Sequence, residues 1–102
     1  MARKTRENTG EAIRVGVLGD FNKEYKSHWA TNAAIRHSQA ALRLGAETVW
    51  IPTPLLLTPE GEAEMERCDG LWGSPGSPYA SFDGMLRGIE FARTRNWPFV
   101  AT

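Results

Sequence analysis

The run Ile13-Arg14-Val15-Gly16-Val17-Leu18-Gly19 constrains this chain more than any other stretch of it. It is β-branched and apolar almost throughout, which suits a strand of a parallel sheet covered on both faces and ill suits a sheet with one wet side. Parallel neighbours are joined by crossovers, so helical segments must follow. From Ser27 to Leu44 the residues Trp29, Ala33, Ala34, Ile35, Ala41, Leu42 and Leu44 recur at helical spacing, with Ser27 as N-cap and Gly45 as the stop. Residues 47–51 read as a second strand, ended by Pro52 and Pro54, neither of which continues a ladder. The connection over 52–60 carries Leu55, Leu56 and Leu57, which need a cover, and a short polar helix is expected over 60–67. Residues 69–73 predict a third strand, followed by the turn-rich Ser74-Pro75-Gly76-Ser77-Pro78. A helix is expected over about 82–95, with Met85, Leu86, Ile89, Phe91 and Ala92 on one face and Gly84 with Gly88 allowing close approach to the sheet. Trp97-Pro98-Phe99-Val100-Ala101 reads as a fourth strand.

This order predicts an α/β domain over 13–102, a parallel sheet with helices on its faces, preceded by a polar flexible tail over 1–12. Ligands of such sheets bind outside the carboxyl ends of the strands. That rule points to Gly19-Asp20-Phe21, to the loop over 73–80, and to whatever follows Thr102.

Composition narrows the partners. Twelve basic residues balance twelve acidic ones, so the surplus of Lys and Arg that phosphate backbones and anionic membranes require is missing, and neither nucleic acid nor membrane is expected. Arg3, Lys4 and Arg6 are followed by no apolar stretch of signal-peptide or membrane-span length, which implies a cytoplasmic protein. Cys68 is the single cysteine, so an internal disulfide and a cysteine-built metal site are both excluded.

From the third strand onward the residues resemble a known family. Asp69-Gly70-Leu71-Trp72-Gly73-Ser74-Pro75-Gly76-Ser77-Pro78, then Asp83-Gly84-Met85-Leu86-Arg87-Gly88-Ile89-Glu90-Phe91-Ala92-Arg93, then Trp97-Pro98-Phe99-Val100-Ala101 are similar, without gaps, to the class I glutamine amidotransferase domain of CTP synthase. There a DG-led strand precedes a PGGFG loop, an EGK helix ending in AR, and an IPYLG-type strand leading to the nucleophile. Val15-Gly16-Val17-Leu18-Gly19-Asp20-Phe21 resembles the family's opening VALVGKY, so the likeness covers about residues 13–102. It implies a flavodoxin-like three-layer fold and, in the full form, hydrolysis of glutamine that supplies ammonia for pyrimidine nucleotide biosynthesis, with no cofactor.

Pro75-Gly76-Ser77-Pro78 is closer to the GPGDP or GPGTP loop of other class I amidotransferases. In the family this loop forms the oxyanion hole through backbone N–H groups. The resemblance implies Gly76 as one donor and Ser77 as a second; Pro75 has no N–H. One such donor is worth roughly 3 to 4 kcal/mol to the tetrahedral intermediate. The family's catalytic cysteine, histidine and glutamate have no counterpart in this sequence. In the G-x-C-x-G elbow, Ala101 and Thr102 take the two positions before the cysteine. The expectation is therefore a chain cut directly before its nucleophile, a cysteine or a selenocysteine read as a stop, inactive as it stands and self-associating as a homodimer through the apolar face of the fourth strand.

Plainer readings stand beside these. Cys68 precedes a strand and reads as a buried structural cysteine. His28 and His37 lie nine residues apart on different sides of their helix, form no metal pair, and read as surface or helix-end residues, with His28 placed so that it could face the site. Gly16-x-x-Gly19 falls short of a phosphate-binding motif, and Trp29, Trp50, Trp72 and Trp97 read as core or interface aromatics. Two other functions stay open: a non-catalytic regulatory or binding relative of the amidotransferase, and an unrelated flavodoxin-like phosphate or nucleotide binder.

Overall fold

The computed structural model describes residues 13–42, 45–75 and 79–101. Strand β1 (Ile13–Leu18) leads to helix α1 (Lys26–Leu42), strand β2 (Ala46–Ile51), a 3₁₀ helix (Thr53–Leu57), helix α2 (Pro59–Glu66), strand β3 (Gly70–Gly73), helix α3 (Phe82–Thr94) and strand β4 (Phe99–Ala101). All strand pairs are parallel, in the order β2-β1-β3-β4. One row of the register sets Trp50, Val17, Trp72 and Val100 side by side, and the next sets Ile51, Leu18, Gly73 and Ala101. Successive strand residues point to opposite faces, so these rows mark the two sides of the sheet.

The face of Leu18 and Ile51 carries the core, in which they join Leu56, Met65, Cys68, Leu71, Met85, Phe91 and Ala92. The 3₁₀ helix, α2 and α3 cover it. Burying one such Leu or Phe side chain contributes about 1.5–3 kcal/mol, so the stability of the fold resides mainly on this side. The other face receives α1, whose His28, Thr31 and Ile35 are buried. There the Trp50 indole N–H donates to Asn32 Oδ1 at 2.8 Å. Helix α1 leans on β2, and beside it an apolar groove of about 450 Å³ opens between Ile35, Leu42, Val15, Trp72, Pro98 and Val100. Leu42 is 66% exposed and Val100 54%.

Three sequence expectations need correction. Helix α1 begins at Lys26, so Ser27 lies within its first turn and not at the cap; the turn ahead of it is closed by Asn22 Oδ1, which accepts the Glu24 N–H, and by the Tyr25 carbonyl, which accepts the His28 N–H. Its buried stripe is His28, Thr31 and Ile35, while Trp29 and Leu42 face solvent; Leu44 lies outside the described residues. The buried stripe of α3 is Gly84, Met85, Gly88, Phe91 and Ala92, with Leu86 and Ile89 exposed. The two glycines decide this, and they serve different partners. A Cβ on Gly88 would fall 2.6 Å from Leu18 Cδ1, on the sheet, whereas one on Gly84 would fall 1.8 Å from the Thr53 carbonyl oxygen, on the 3₁₀ helix.

Both ends of α3 are closed by the local sequence. Ser81 Oγ accepts the Gly84 N–H at 2.9 Å, the usual N-cap bond. At the other end Asn96 adopts φ 56°, which Asn tolerates better than most residues, and the Trp97 N–H then reaches back to the Ala92 carbonyl at 2.8 Å. The Trp97 ring packs on Phe91, with centroids 5.3 Å apart, and so sets the direction in which the chain enters β4.

Candidate functional site

At the carboxyl end of the sheet the chain leaving β3 lies directly against the end of β1. The Ser74 N–H donates to the Leu18 carbonyl at 3.1 Å, and the Gly19 N–H to the Ile51 carbonyl at 3.0 Å. The approach is so close that a Cβ on Gly19 would fall 2.1 Å from Ser74 Oγ. Close packing therefore accounts for Gly19, with no phosphate needed. Ser74 is 1% exposed, and its hydroxyl has no hydrogen-bond partner among the described residues.

The Tyr79 hydroxyl donates to the Ser74 carbonyl at 2.7 Å, tying together the two flanks of the loop after β3. Burial, with the Asp20 charge adding to it, raises the Tyr79 phenol above its ordinary range, so it remains a donor at neutral pH.

Asp20, just past β1, holds the neighbouring segments together. Its Oδ1 accepts the Thr53 N–H at 2.8 Å, and its Oδ2 accepts the Thr53 hydroxyl at 2.8 Å and the Ala80 N–H at 2.9 Å. The fully buried Thr53 then accepts the Ser81 N–H on Oγ1 at 2.8 Å. The carboxylate thus connects the end of β1 to the start of the 3₁₀ helix, to the far flank of the loop, and through Ser81 to the cap of α3.

His28 is 2% exposed, which corrects the surface reading. Its Nδ1 accepts the Asn22 N–H at 2.9 Å, and its ring lies 4.9 Å from Trp50, 5.2 Å from Tyr25 and 5.9 Å from Phe21 between centroids. With its Nδ1 lone pair occupied by a backbone donor and aromatic rings around it, His28 anchors the segment after β1. His37 is exposed, as expected. Trp29, by contrast, is 50% exposed; it lies edge-on to Phe21 and donates its indole N–H to the Lys23 carbonyl at 2.8 Å.

Gly76 and Ser77, the residues expected to form the oxyanion hole, lie outside the described residues, as do Thr102 and the 1–12 segment. Their flanks, Ser74-Pro75 and Tyr79-Ala80, are described, and the hydrogen bonds above place Ser74 and Ala80 beside Leu18 and Asp20. Cys68 precedes β3 and so sits toward the amino end of the parallel sheet, away from these contacts. It is 2% exposed and its Sγ donates to the Glu64 carbonyl at 3.3 Å. Burial pushes its thiol up to about 11, against the opposing pull of Arg14. It is the structural cysteine the sequence suggested. Among the described residues no three His, Cys, Asp or Glu side chains gather as a metal site, and no helix is long and apolar enough to cross a membrane.

The strand-end rule led to Asp20 but not to its partners. Thr53 lies between two prolines, and nothing in its surroundings marks it. Ser81 carried a readable signal, since Ser81-Phe82-Asp83-Gly84 places a capping hydroxyl three residues ahead of a helical amide. Tyr79 and Ser74 carried none.

No family model matches the chain. It is similar to CTP synthase of Sulfolobus acidocaldarius, with 27% identity over 95 residues that cover 92% of this chain and 18% of that protein. It is similar also to CTP synthase of Microcystis aeruginosa, with 23% identity over 94 residues, 92% of this chain and 17% of that one. Among solved structures it matches the glutaminase domain of Trypanosoma brucei CTP synthase with bound acivicin, at a TM-score of 0.78 and 20% identity, over 88% of this chain and 36% of that one. The fold is therefore that of a CTP synthase glutaminase domain, a flavodoxin-like α/β architecture. The chain spans less than a fifth of the length of these curated relatives.

Proposed function

We propose that this chain, similar along about nine-tenths of its length to the CTP synthases, forms the glutamine-binding front of an amidotransferase domain whose full reaction is glutamine hydrolysis. The observation that carries this is the hydrogen-bonded junction at the carboxyl end of the sheet. Both flanks of the loop after β3 are tied there, by the Ser74 N–H on Leu18 and the Ala80 N–H on Asp20, within the likeness to the glutaminase fold. In this reading Gly76 and Ser77 offer backbone N–H groups to the side-chain carbonyl of glutamine. A thiolate or selenolate supplied by the residue that follows β4 and Thr102 attacks that carbonyl carbon. The amide nitrogen, once protonated, leaves as ammonia, and water then releases glutamate from the acyl intermediate. The ammonia would go to an acceptor in pyrimidine nucleotide biosynthesis, in the cytoplasm.

Cys68, buried toward the amino end of the sheet, is not the attacking group of this reading. The second reading is a relative that binds glutamine without hydrolysing it. The codon after Thr102 separates the two: cysteine or UGA, with the frame continuing through a later histidine and glutamate, supports hydrolysis, and any other sense codon supports binding alone.

The test common to both is a titration of the ¹⁵N-labelled 102-residue chain with L-glutamine up to about 10 mM, a range suited to weak affinity. Amide shifts are expected at Gly73, Ser74, Tyr79 and Ala80, smaller with L-asparagine, and no glutamate should be released. A chain whose amides at these positions ignore glutamine is not a glutamine binder.

We further propose that the chain self-associates as a homodimer through the apolar groove beside α1. Leu42 and Val100 are more than half exposed there, and β4 pairs only with β3 among the described residues. Light scattering at about 50 µM, a concentration at which weak dimers populate, should give the dimer mass, and Val100→Lys should restore the monomer. A wild-type monomer at that concentration removes the proposal.

A further inference from the structure

We infer that Asp20 is a positioning residue of the glutamine site, holding the loop after β3 at its far flank through a directional relay that runs Ala80, Asp20, Thr53, Ser81, Gly84. The inference rests on the glutamine-binding reading and adds to it the residue that sets where the loop lands.

The direction of every bond follows from the carboxylate. An ionised Asp accepts and cannot donate. The single proton of the Thr53 hydroxyl is therefore committed to Asp20 Oδ2, at 2.8 Å, which leaves the Thr53 oxygen as an acceptor for the Ser81 N–H at 2.8 Å. Ser81 Oγ in turn accepts the Gly84 N–H at 2.9 Å. Ala80 and Ser81, two consecutive amides at the landing of the loop, thus face acceptors whose orientation is dictated by one charge. Thr53 is 0% exposed, so water cannot replace it as the acceptor.

Asp20 itself is tied on both oxygens, with Thr53 N–H on Oδ1, which prevents the carboxylate from rotating away from Ala80. Gly19, held by its own N–H on Ile51, fixes the backbone from which Asp20 projects. The VALVGKY pattern that this strand resembles has lysine at the place of Asp20. An ammonium is a donor only and could satisfy none of these three donors, so the relay belongs to this chain and is not inherited from the resemblance.

Asp20→Asn keeps the shape and removes one acceptor. Its NH₂ must face either the Thr53 N–H or the Ala80 N–H with its hydroxyl neighbour, and a donor then opposes a donor. Amide exchange of the ¹⁵N-labelled 102-residue chain is expected to speed up by about tenfold at Ala80 or Thr53, the cost of one lost charged hydrogen bond, with Val17 and Trp50 in the sheet unchanged. The glutamine concentration that half-saturates the shifts at Ser74 and Tyr79 should rise by a similar factor, about tenfold, which a residue serving only stability would leave alone. Thr53→Val retains the carboxylate and removes its relay; it should free the Ser81 amide while Ala80 stays protected, and it decides the matter should Asp20→Asn fail to fold.

Unchanged exchange at both Ala80 and Thr53 in Asp20→Asn overturns the assignment, as does unchanged glutamine response with those amides freed, or a Ser81 amide still protected in Thr53→Val. A wild-type chain that ignores glutamine overturns the binding reading together with the assignment, and that outcome is read from the unmutated chain alone.

Discussion

Gly84→Ala is expected to destabilise the fold by about 3 kcal/mol or more, at the upper end of what overpacking costs. The new methyl carbon would fall 1.8 Å from the Thr53 carbonyl oxygen and 2.7 Å from its carbon. Both are backbone atoms, and the segment cannot withdraw cheaply, because the Thr53 N–H is bound to Asp20 and the Leu55 N–H to the Pro52 carbonyl. Alanine in place of glycine gains about 1 kcal/mol of helix propensity, which is too little to offset the collision. Gly88→Ala provides the contrast. Its nearest atom is the tip of the Leu18 side chain at 2.6 Å, which can rotate aside, so a loss of about 1 kcal/mol is expected. In urea the midpoint of Gly84→Ala should fall by about 2 M at ordinary slopes for so small a chain, and that of Gly88→Ala by less than half as much. Equal midpoints for the two variants would mean that α3 does not rest on the 3₁₀ helix. The consequence reaches the site, because the N-terminus of α3 holds Ser81, and a helix pushed off Thr53 carries the Ala80 amide away from Asp20.

The Cys68 thiol should react with a disulfide reagent at pH 8 at least about 100-fold more slowly in the folded chain than in the chain unfolded by guanidinium. Burial raises it from 9.0 to about 11, and two units remove about 99% of the thiolate, which is the reacting species. Enclosure adds to this, since a Cβ on Gly16 would fall 2.6 Å from Sγ and leaves a reagent no room. The same shift predicts a pH dependence of stability. The folded chain holds this proton more tightly than the unfolded one, so the contribution is complete below about pH 9 and is lost as pH rises through about 11. Cys68→Ala should flatten that alkaline limb. Labelling as fast in the folded chain as in the unfolded one would end the structural reading of Cys68 and reopen it as a reactive group.

The sequence by itself determined the element order. Each of the first three strands announces itself by a short apolar run closed by Gly or Pro, and the long helices by a helical period, because both signals are local consequences of backbone geometry. It pointed also to the carboxyl ends of the strands as the place for a site, since that follows from parallel topology alone, and so to the stretch Gly19-Asp20-Phe21 that contains Asp20. Tertiary structure decided which helix faces are buried. In α1 the apolar count favoured Trp29 and Leu42, yet His28, Thr31 and Ile35 face the sheet, since a helix rotates to fit its neighbours and not to maximise its own pattern.

In α3 a pattern of large side chains misplaced Leu86 and Ile89, because the contact is made through Gly84 and Gly88, whose lack of a Cβ gives no hydrophobic signal at all. The environment of Asp20 was equally illegible. Its partners come from positions 53 and 80, brought to one carboxylate by two separate crossovers, and a hydrogen bond across 33 or 60 residues leaves no local trace in the chain.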